Sequence, residues 1–247
     1  MKNVENIKRI LFVFDLDSTI TKTGGDNMAF KILKDQNKAK ELLGLFPKSS
    51  WCQIVNLLMI ELKKEGITVE DYKNAIQSNS LNPGMQELLT FINSKKEKSD
   101  MVLVSGSNVF SVGWLLEKYN IKDYFKRIFA NPAKLSEEKL IEIGSYQIND
   151  CSNCEVDLCK KLIVEDYLKH SLKEGIQYEK IIYVGDGHND FCPVSILGSN
   201  DIAFPRIDFA LYKKIYESEG IKDLNCEVIP WNDGYKILEH IKDINLL

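Results

Sequence analysis

The sequence predicts an α/β protein built on a parallel sheet, with an all-helical segment inserted after the first strand. Short, uncharged apolar runs such as Ile10–Phe14 alternate with longer helical patterns, and strands that alternate with helices form parallel sheets. Between Asp26 and Asn79 the pattern is helical throughout. The chain has 247 residues, which is enough to bury a core without the help of a disulfide or a metal.

Four further apolar runs are predicted strands of this sheet. They are continuous rather than alternating, as expected for strands that are buried on both faces. Each run ends at glycine, proline or polar residues. The runs are Met101–Val104, Ile181–Val184 and, with weaker patterns, Asp201–Phe204 and Cys226–Ile229.

Apolar residues at helical spacing predict helices between the strands. Met85–Phe91 follows a proline, which a first helical turn tolerates, and Asn82 is the expected N-cap. Breaking residues across Phe129–Ile148 favour a hairpin or a loop there. His170 and His240 are expected at surface positions of helices. The other predicted helices are Val109–Tyr119, Leu158–Leu172 and Asp190–Leu197.

The inserted helical segment is predicted to be a separate cap. Its three helices are Met28–Leu45, Trp51–Lys64 and Val69–Ser78. The segment directly follows the first strand, so we expect it to lie over the carboxyl ends of the strands, where open α/β sheets bind ligands. The predicted division is a cap of residues 26–79 and a core of residues 1–25 and 80–247.

The composition excludes several classes of protein. Lys and Arg number 32 and Asp and Glu number 36, and a net charge of −4 does not suit nucleic-acid binding. The apolar runs are far shorter than the ~20 residues that cross a bilayer. Ile10–Phe14 leads directly into Asp15, which argues against a signal-peptide core. We therefore expect a cytoplasmic monomer or homodimer that acts on a small molecule, with no nucleic-acid or membrane partner.

Two pairs of carboxylates follow predicted strands. Asp15 and Asp17 come directly after the first strand, and Asp186 and Asp190 stand in a glycine-containing loop after the third. Buried charges are costly unless they are paired or bind a metal, and Mg²⁺ prefers one or two carboxylates together with substrate phosphate. The four residues therefore predict a magnesium site. Aspartates that cap turns or helices are the alternative interpretation.

Two other features suit a phosphate group. The segment Ser105–Asn108 places a hydroxyl and free backbone N–H groups at the expected start of a helix, which can bind phosphate oxygens. A phosphate among aspartates also needs positive charge, for which Lys160 and Lys161 are candidates. Two solvated surface lysines are the alternative interpretation.

In chain order, these motifs resemble those of the haloacid dehalogenase superfamily of phosphatases. The motifs are Asp15-Leu16-Asp17-Ser18-Thr19, Ser105, Lys160 and Gly185-Asp186-Gly187-His188-Asn189-Asp190. Other segments are similar to the branch that acts on phosphoethanolamine, phosphocholine or pyridoxal phosphate. These segments are Cys151-Ser152-Asn153-Cys154, Leu158-Cys159-Lys160, Phe191-Cys192-Pro193, Phe204-Pro205-Arg206 and Trp231-Asn232-Asp233-Gly234. The resemblance implies a Rossmann-like core with an inserted type-1 cap.

The resemblance also implies a role for each acidic residue. Asp15 would attack the phosphorus of a phosphate ester and form an aspartyl-phosphate, and Asp17 would act as general acid and then as general base. Mg²⁺ would be held by the Asp15 side chain, the Asp17 backbone carbonyl and Asp186, and Asp190 would support it. The implied activity is that of a Mg²⁺-dependent phosphomonoesterase.

The implied phosphate-binding residues come from the other motifs. Ser105, Gly106 and Lys160 would hold the phosphate oxygens and offset charge in the transition state, and Asn189 could add a hydrogen bond. This agrees with elementary electrostatics, because a carboxylate can attack a phosphate dianion only where cations screen the repulsion.

Three residues are expected to influence the choice of substrate: Asp26, Gly106 and His188. Members of the branch often carry an acidic residue at the position of Gly106, where it would attract a cationic amine. The glycine here favours pyridoxal phosphate or a similar small ester over phosphoethanolamine and phosphocholine. Asp26 could still bind a cation. His188 could contact substrate, although an exposed loop position is the simpler interpretation.

Apolar residues of the cap allow two interpretations. Trp51 and Cys52, with Met28 and Phe30, could line a pocket for an aromatic or aliphatic leaving group. Their helical spacing favours the core of a small helical bundle.

Other functions fit the same motifs. Phosphoserine phosphatase has a Ser-Gly motif like Ser105-Gly106, but it would need an arginine and a glutamate in the cap, and residues 26–79 contain no arginine. A phosphotransferase would need a closed cap that excludes water. A non-catalytic metabolite sensor would use the same pocket, but the complete set of catalytic residue types argues against it.

Three cysteines form part of a zinc motif. Cys151 and Cys154 have CxxC spacing, and Cys159 follows five residues later. A structural zinc normally has four ligands. The candidates for the fourth are His188, His170 and Cys192. Free or partly oxidised thiols are the favoured interpretation, because only three ligands stand close together in the sequence.

Overall fold

A parallel sheet forms the centre of the protein. The computed structural model describes residues 7–152, 154–218 and 220–247, so residues 1–6 of the predicted core and Asn153 of the cysteine motif lie outside it. The strands in chain order are β1 (Ile7–Phe14), β2 (Ser99–Asn108), β3 (Arg127–Asn131), β4 (Ala133–Leu135), β5 (Ile141–Ile143), β6 (Ile176–Gly185), β7 (Ile202–Pro205) and β8 (Glu227–Val228). Within these ranges the sheet has the order β3-β2-β1-β6-β7-β8 with all neighbours parallel, and β4 and β5 form a separate antiparallel hairpin. The predicted α/β class is confirmed.

Helices cover both faces of this sheet. In chain order they are α1 (Gly25–Ile32), α2 (Gln36–Leu43), α3 (Trp51–Lys64), α4 (Val69–Gln77), α5 (Met85–Asn93), α6 (Val109–Lys118), α7 (Lys160–Lys173), α8 (Phe191–Val194), α9 (Ala210–Tyr216) and α10 (Gly234–Asp243). In β1, Ile10, Phe12 and Phe14 join the core on one face, and Leu11 and Val13 join the core on the other. Helices α1 to α6 and α10 belong to the first core, and α7 to α9 belong to the second. Because side chains alternate along a strand, burial on both faces requires the continuous apolar run.

The segment Phe129–Ile148, expected to be a hairpin or a loop, contains a hairpin and part of a strand. Strands β4 and β5 form the hairpin. Strand β3 begins before it and lies at the edge of the sheet, where Arg127 is opposite Val102 of β2. Residues of β3 are exposed or half-buried at three of its positions, so it lacks the continuous apolar run by which the central strands are predicted.

The predicted cap helix Met28–Leu45 is wrong, since two helices, α1 and α2, stand in its place. Asp35 caps α2, and its side chain accepts hydrogen bonds from two backbone N–H groups of the first turn. The carboxylate of Glu65 accepts hydrogen bonds from the backbone N–H groups of Lys34 at 2.6 Å and Asp35 at 2.9 Å. Glu65 follows α3, so the segment between α1 and α2 is held by a residue that is distant in the sequence.

The other two cap helices are confirmed with nearly the predicted bounds. Helix α3 begins after a capping box in which Ser50 and Gln53 exchange hydrogen bonds. Asn56 then joins α3 to the hairpin, because its side-chain amide donates to the Ile143 carbonyl and accepts from the Ile143 N–H, both at 2.8 Å. The division into a core and a cap at residues 26 and 79 stays a prediction.

The helices of the core differ from prediction mainly at their ends. Gly84, with φ of 77°, is the N-cap of α5, whereas the expected cap Asn82 makes other contacts. Helix α8 is shorter than the predicted Asp190–Leu197, because it begins one residue later and ends three residues earlier. His240 lies on α10 as predicted, but it is half-buried, and its ring packs edge-on against Phe204 with ring centres 5.7 Å apart.

The N-terminal ends of α5 and α10 are in direct backbone contact. The Gly234 N–H donates to the Pro83 carbonyl at 2.7 Å. A Cβ atom on Gly234 would lie 2.5 Å from the Gly84 carbonyl carbon, and one on Gly84 would lie 2.4 Å from the Tyr235 nitrogen. Neither position therefore accepts a side chain without moving a helix.

We expect Gly234→Ala to lower the free energy of unfolding by about 2–3 kcal/mol, because the new methyl group overlaps backbone atoms. Gly113→Ala is the matched control: it lies inside α6, its Cβ would meet no atom within 4 Å, and alanine should stabilise the helix by up to about 1 kcal/mol. Urea unfolding midpoints at constant m-value measure both changes. An unchanged midpoint in Gly234→Ala would contradict the close contact.

Candidate active site

The candidate functional residues gather at the carboxyl ends of three adjacent strands. Asp15 follows β1, Ser105–Asn108 end β2, and Asp186 follows β6, and β1 lies between the other two strands. The strand order reverses beside β1, which is where open α/β sheets bind ligands. A cavity of about 320 Å³ opens here. It is lined by Asp15, Asp17, Ser18, Gly24, Asp26, Asn27, Phe46, Trp51, Gly106, Ser107, Glu155, Lys160, Asp186, Gly187 and Asn189.

Lys160 is the buried cation of this cavity. Its Nζ lies 2.6 Å from Asp15 Oδ1 and 2.7 Å from Asp190 Oδ1, and its side chain is 2% exposed. Burial alone would lower the pKa of the Lys160 ammonium, but the two carboxylates outweigh burial and raise that pKa. Lys160 is therefore charged, and the alternative interpretation as a surface lysine is wrong for it.

Three carboxylates share this one lysine. Asp15, Asp186 and Asp190 offer oxygen atoms that all lie within 4.8 Å of one another. Burial, opposed by Lys160 and reinforced by the other carboxylates, raises the pKa of Asp15. Burial and the Asp190 charge raise the pKa of Asp186 to about 7. Three carboxylates and one ammonium carry a net charge of −2 when all are ionised, so the donor set fits a divalent cation that prefers oxygen, as Mg²⁺ does.

Asp190 is held on both of its oxygens. Besides the lysine, Oδ1 accepts from the Tyr183 hydroxyl at 2.6 Å, and Oδ2 accepts from the backbone N–H groups of Asp186 at 3.0 Å and Gly187 at 2.8 Å. A Cβ atom on Gly185 would lie 2.6 Å from the Asp190 carboxyl carbon, so only glycine fits there. These contacts suit a residue that fixes the conformation of the loop between Gly185 and Asp190.

The Asp17 carboxylate stands apart from this group. Its Oδ1 accepts from the backbone N–H of Gly25, the first residue of α1, at 2.6 Å. Its Oδ2 accepts from the hydroxyls of Ser107 at 2.6 Å and Ser105 at 3.4 Å. The side chain therefore connects β2 with the start of α1, and it lies outside the group of three carboxylates that could hold a metal.

The end of β2 contains one residue that was not predicted from the sequence. Ser105 is fully buried, and its hydroxyl oxygen accepts from the Ser107 N–H at 3.0 Å. Gly106 and Ser107 line the cavity. A Cβ atom on Gly106 would meet no atom within 4 Å, so the space beside it is open. The signal for Ser107 was its hydroxyl in the same motif, two residues after the predicted phosphate-binding serine.

The loop after Asp15 is held by two residues that lie far away in the sequence. The Asn82 side-chain amide donates to the carbonyls of Thr19 at 2.7 Å and Thr21 at 3.0 Å. Arg206 donates to the Ser18 carbonyl and, at 3.0 Å, to the Asn82 side-chain oxygen. No local pattern marks Asn82 for this role, because its partners are brought together only by the fold.

Aromatic residues position Arg206 in turn. Its guanidinium lies 4.2 Å from the ring centre of Phe209 and 5.4 Å from that of Trp231. Trp231 is fully buried and donates from Nε1 to the Phe204 carbonyl at 2.9 Å. Two segments that carry the family resemblance, Phe204–Arg206 and Trp231–Gly234, thus support the loop that contains Asp15.

Asp26 holds an aromatic wall of the cavity. Its Oδ2 accepts from Trp51 Nε1 at 2.8 Å and its Oδ1 from the Tyr72 hydroxyl at 3.2 Å. Burial and the Asp17 charge raise the pKa of Asp26 to about 6. Trp51 and Phe46 line the cavity with ring centres 6.2 Å apart, whereas Phe30 is 4% exposed and belongs to the core. Trp51 therefore lines a pocket, as in the first interpretation of the apolar cap residues, and Phe30 belongs to the core, as in the second.

Glu155 is a second residue that the sequence analysis missed. It lines the cavity beside Asn189, and burial and the charge of Asp157 raise its pKa to about 7. Its position in the cysteine loop gave no local signal for a role in the site. His188 is exposed and lines a wider groove beside the cavity, in agreement with the simpler interpretation of that residue.

A family described as "Putative Phosphatase" matches residues 10–244 of this chain. Among its relatives, "Pyridoxal phosphate phosphatase PHOSPHO2" of Bos taurus is 32% identical over 235 residues, which cover 95% of this chain and 98% of the relative. "Phosphoethanolamine/phosphocholine phosphatase" of Homo sapiens is 26% identical over 238 residues, which cover 96% of this chain and 89% of the relative.

Solved structures agree on the fold. A substrate-bound phosphoserine phosphatase superposes with a TM-score of 0.61 at 18% identity, covering 94% of this chain and 98% of that one. A hydrolase of the haloacid dehalogenase family from Salmonella enterica superposes with a TM-score of 0.53 at 18% identity, covering 79% of this chain and 62% of that one. At such identities the likeness concerns the fold alone, and it confirms the predicted fold class. Since the family match extends over almost the whole chain, the protein belongs to the "Putative Phosphatase" family and is a phosphatase with the haloacid dehalogenase fold.

Proposed function

We propose that the protein is a Mg²⁺-dependent phosphomonoesterase that works through an aspartyl-phosphate on Asp15. The observation that carries this proposal is the set of three buried carboxylates around the single ammonium of Lys160, at the base of a small cavity. Mg²⁺, held by Asp15, Asp186 and the Asp17 carbonyl, would supply the positive charge that this set lacks. The family relationship supports phosphate esters as the substrate class.

In the first half of the reaction, an Asp15 oxygen attacks phosphorus, and the bond from phosphorus to the leaving alkoxide breaks. Lys160 and the backbone N–H groups at the end of β2 stabilise the negative charge on the phosphate oxygens. Asp17 donates a proton to the alkoxide, for which its position beside the Ser107 hydroxyl at the cavity wall is suitable.

In the second half, a water molecule attacks phosphorus, and the bond from phosphorus to Asp15 breaks. Asp17, now unprotonated, accepts the proton of the water. Inorganic phosphate leaves, and Asp15 and Asp17 return to their initial states. Asn189, which lines the cavity, would add a hydrogen bond to the phosphate.

The proposed substrate is a flat aromatic ester with a ring nitrogen that can be protonated, such as pyridoxal phosphate. Trp51 and Phe46 offer aromatic surface, and Glu155 and Asp26 offer carboxylates that would attract such a nitrogen. The open space at Gly106 leaves room for a ring. The 32% identity to a pyridoxal phosphate phosphatase supports this choice. The alternative substrates are thiamine monophosphate and phosphorylated amino-alcohols.

A phosphoserine-type activity fits the cavity less well. The carboxylate of phosphoserine would face Asp26 and Glu155, and the described lining of the cavity contains no arginine to bind it. A phosphotransferase remains the alternative if another alcohol replaces water in the second half-reaction. No helix in the described ranges is long and apolar enough to span a bilayer. A cytoplasmic location and a monomeric or homodimeric state stay predictions.

We expect Asp15→Asn to keep the fold and to lower kcat by about 10⁴-fold or more, because the amide cannot form the phosphoenzyme. Asp166→Asn, an exposed position on α7, is the matched control and should retain full activity. Release of phosphate from p-nitrophenyl phosphate at equal Mg²⁺ content measures both. Retention of more than a few per cent of activity would show that Asp15 is not the nucleophile.

Removal of divalent cations by EDTA should abolish turnover, and added Mg²⁺ should restore it. Ca²⁺ should inhibit, because its longer bonds and 6–8 ligands let it bind both oxygens of a carboxylate and disturb the attack of Asp15. Initial rates after dialysis, with each metal added singly, provide the measurement. Full activity with Ca²⁺ alone, or activity that survives EDTA, would count against the site.

Gly106→Asp should shift kcat/KM towards phosphoethanolamine and phosphocholine and away from pyridoxal phosphate. A carboxylate there fits the open space and would attract an ammonium group by ~1–3 kcal/mol, which is roughly a tenfold to hundredfold change. Gly106→Ala controls for the loss of glycine. A panel of phosphate esters assayed for phosphate release measures the ratio. If the unmodified enzyme already prefers phosphocholine tenfold, the proposal on substrate choice is wrong, and Glu155 or Asp26 binds the cation.

A further inference from the structure

Four cysteine side chains meet beside the active site. Cys151, Cys154 and Cys159 come from the loop before α7, and Cys192 comes from α8. Their sulfur atoms all lie within 4.8 Å of one another. The candidates for a fourth ligand were His188, His170 and Cys192. The fold brings Cys192 to the other three cysteines.

The distances between the sulfur atoms fit a tetrahedral metal. Cys192 Sγ lies 3.3 Å from Cys151 Sγ and 4.0 Å from Cys159 Sγ. Zn–S bonds of about 2.3 Å place sulfur atoms at the corners of a tetrahedron about 3.8 Å apart. A disulfide would need about 2.05 Å. The four side chains are therefore arranged around a common centre rather than in two pairs.

Backbone groups around the cysteines suit thiolates. The N–H of Cys154 donates to the Cys151 carbonyl at 3.3 Å, which forms a tight turn that brings the CxxC pair together. Cys159 is buried and is the N-cap residue of the 14-residue helix α7. The positive end of the helix dipole favours a thiolate at Cys159, against the burial that raises the pKa of its thiol to about 11.

We propose that Cys151, Cys154, Cys159 and Cys192 bind one structural Zn²⁺ ion. Four sulfur ligands fit the tetrahedral coordination shell of zinc and would fill it, so this ion would not bind substrate. Mg²⁺ takes oxygen ligands, so the two metals would not compete for one site. The site does not depend on the proposed activity.

The position of the zinc site in the chain gives it a positioning role. Cys159 directly precedes Lys160, and Cys192 follows Asp190 by two residues. The ion would therefore fix the two backbone segments from which the Lys160–Asp190 contact of 2.7 Å is made. Glu155, which lines the cavity, belongs to the same loop between the second and third ligands.

The zinc content of the unmodified protein is the first test. The full chain, produced with zinc in the medium and purified under reducing conditions, should contain one zinc per chain by elemental mass spectrometry. Replacement of zinc by Co²⁺ should give the intense visible and near-ultraviolet bands of a tetrahedral cobalt thiolate. Absence of bound zinc, or a disulfide between Cys151 and Cys192 in mass spectra of the reduced-purified protein, would overturn the proposal.

Variants then test the positioning role. Cys192→Ser should lose zinc and weaken inhibition by inorganic phosphate about tenfold, because Lys160 is no longer fixed. Cys192→His should regain both, since histidine also binds zinc. Cys226→Ser, a half-buried cysteine outside the cluster, is the matched control and should change neither. If Cys192→Ser does not fold, removal of zinc from the unmodified protein with a thiol reagent gives the same comparison. Unchanged phosphate inhibition in zinc-free, folded protein would overturn the positioning role.

Discussion

The contact of one buried ammonium with two buried carboxylates governs the arrangement of the site. Lys160 lies within 2.7 Å of both Asp15 and Asp190, where none of the three is more than 6% exposed. Removing one partner from such a group leaves a buried charge unpaired, which is costly. The remaining excess of negative charge, with Asp186 close by, accounts for a need for a divalent cation. In the proposed function, metal binding and substrate binding would both depend on this balance of charges.

The rest of the fold holds these charged side chains in position. The central strand β1 carries Asp15, its neighbours deliver the other motifs, and burial of both sheet faces fixes the register of the strands. Asn82 and Arg206 hold the carbonyl groups of the loop after Asp15. The aromatic residues around Arg206, including Trp231, contact its guanidinium and so support that loop.

The central strands and the acidic motifs could be predicted because their signals are local. A continuous apolar run followed by an aspartate contains both the strand and its functional residue. Contacts between distant residues could not be predicted in this way. Glu65 ends a helix thirty residues earlier, Glu155 enters the cavity from a loop that reads as a cysteine motif, and Cys192 joins three distant cysteines. The edge strand β3 was missed because partial exposure removes the apolar pattern.

The hydrogen bond from Gly25 to Asp17 has a mechanical consequence. The carboxylate that would exchange a proton with the leaving group also accepts the first backbone N–H of helix α1, through its Oδ1 atom. A proton bound at Oδ1 would displace that hydrogen bond, whereas a proton at Oδ2 would compete with the Ser107 hydroxyl. In the proposed mechanism, proton transfer at Asp17 would therefore change the contact that holds the first turn of α1 against the active site.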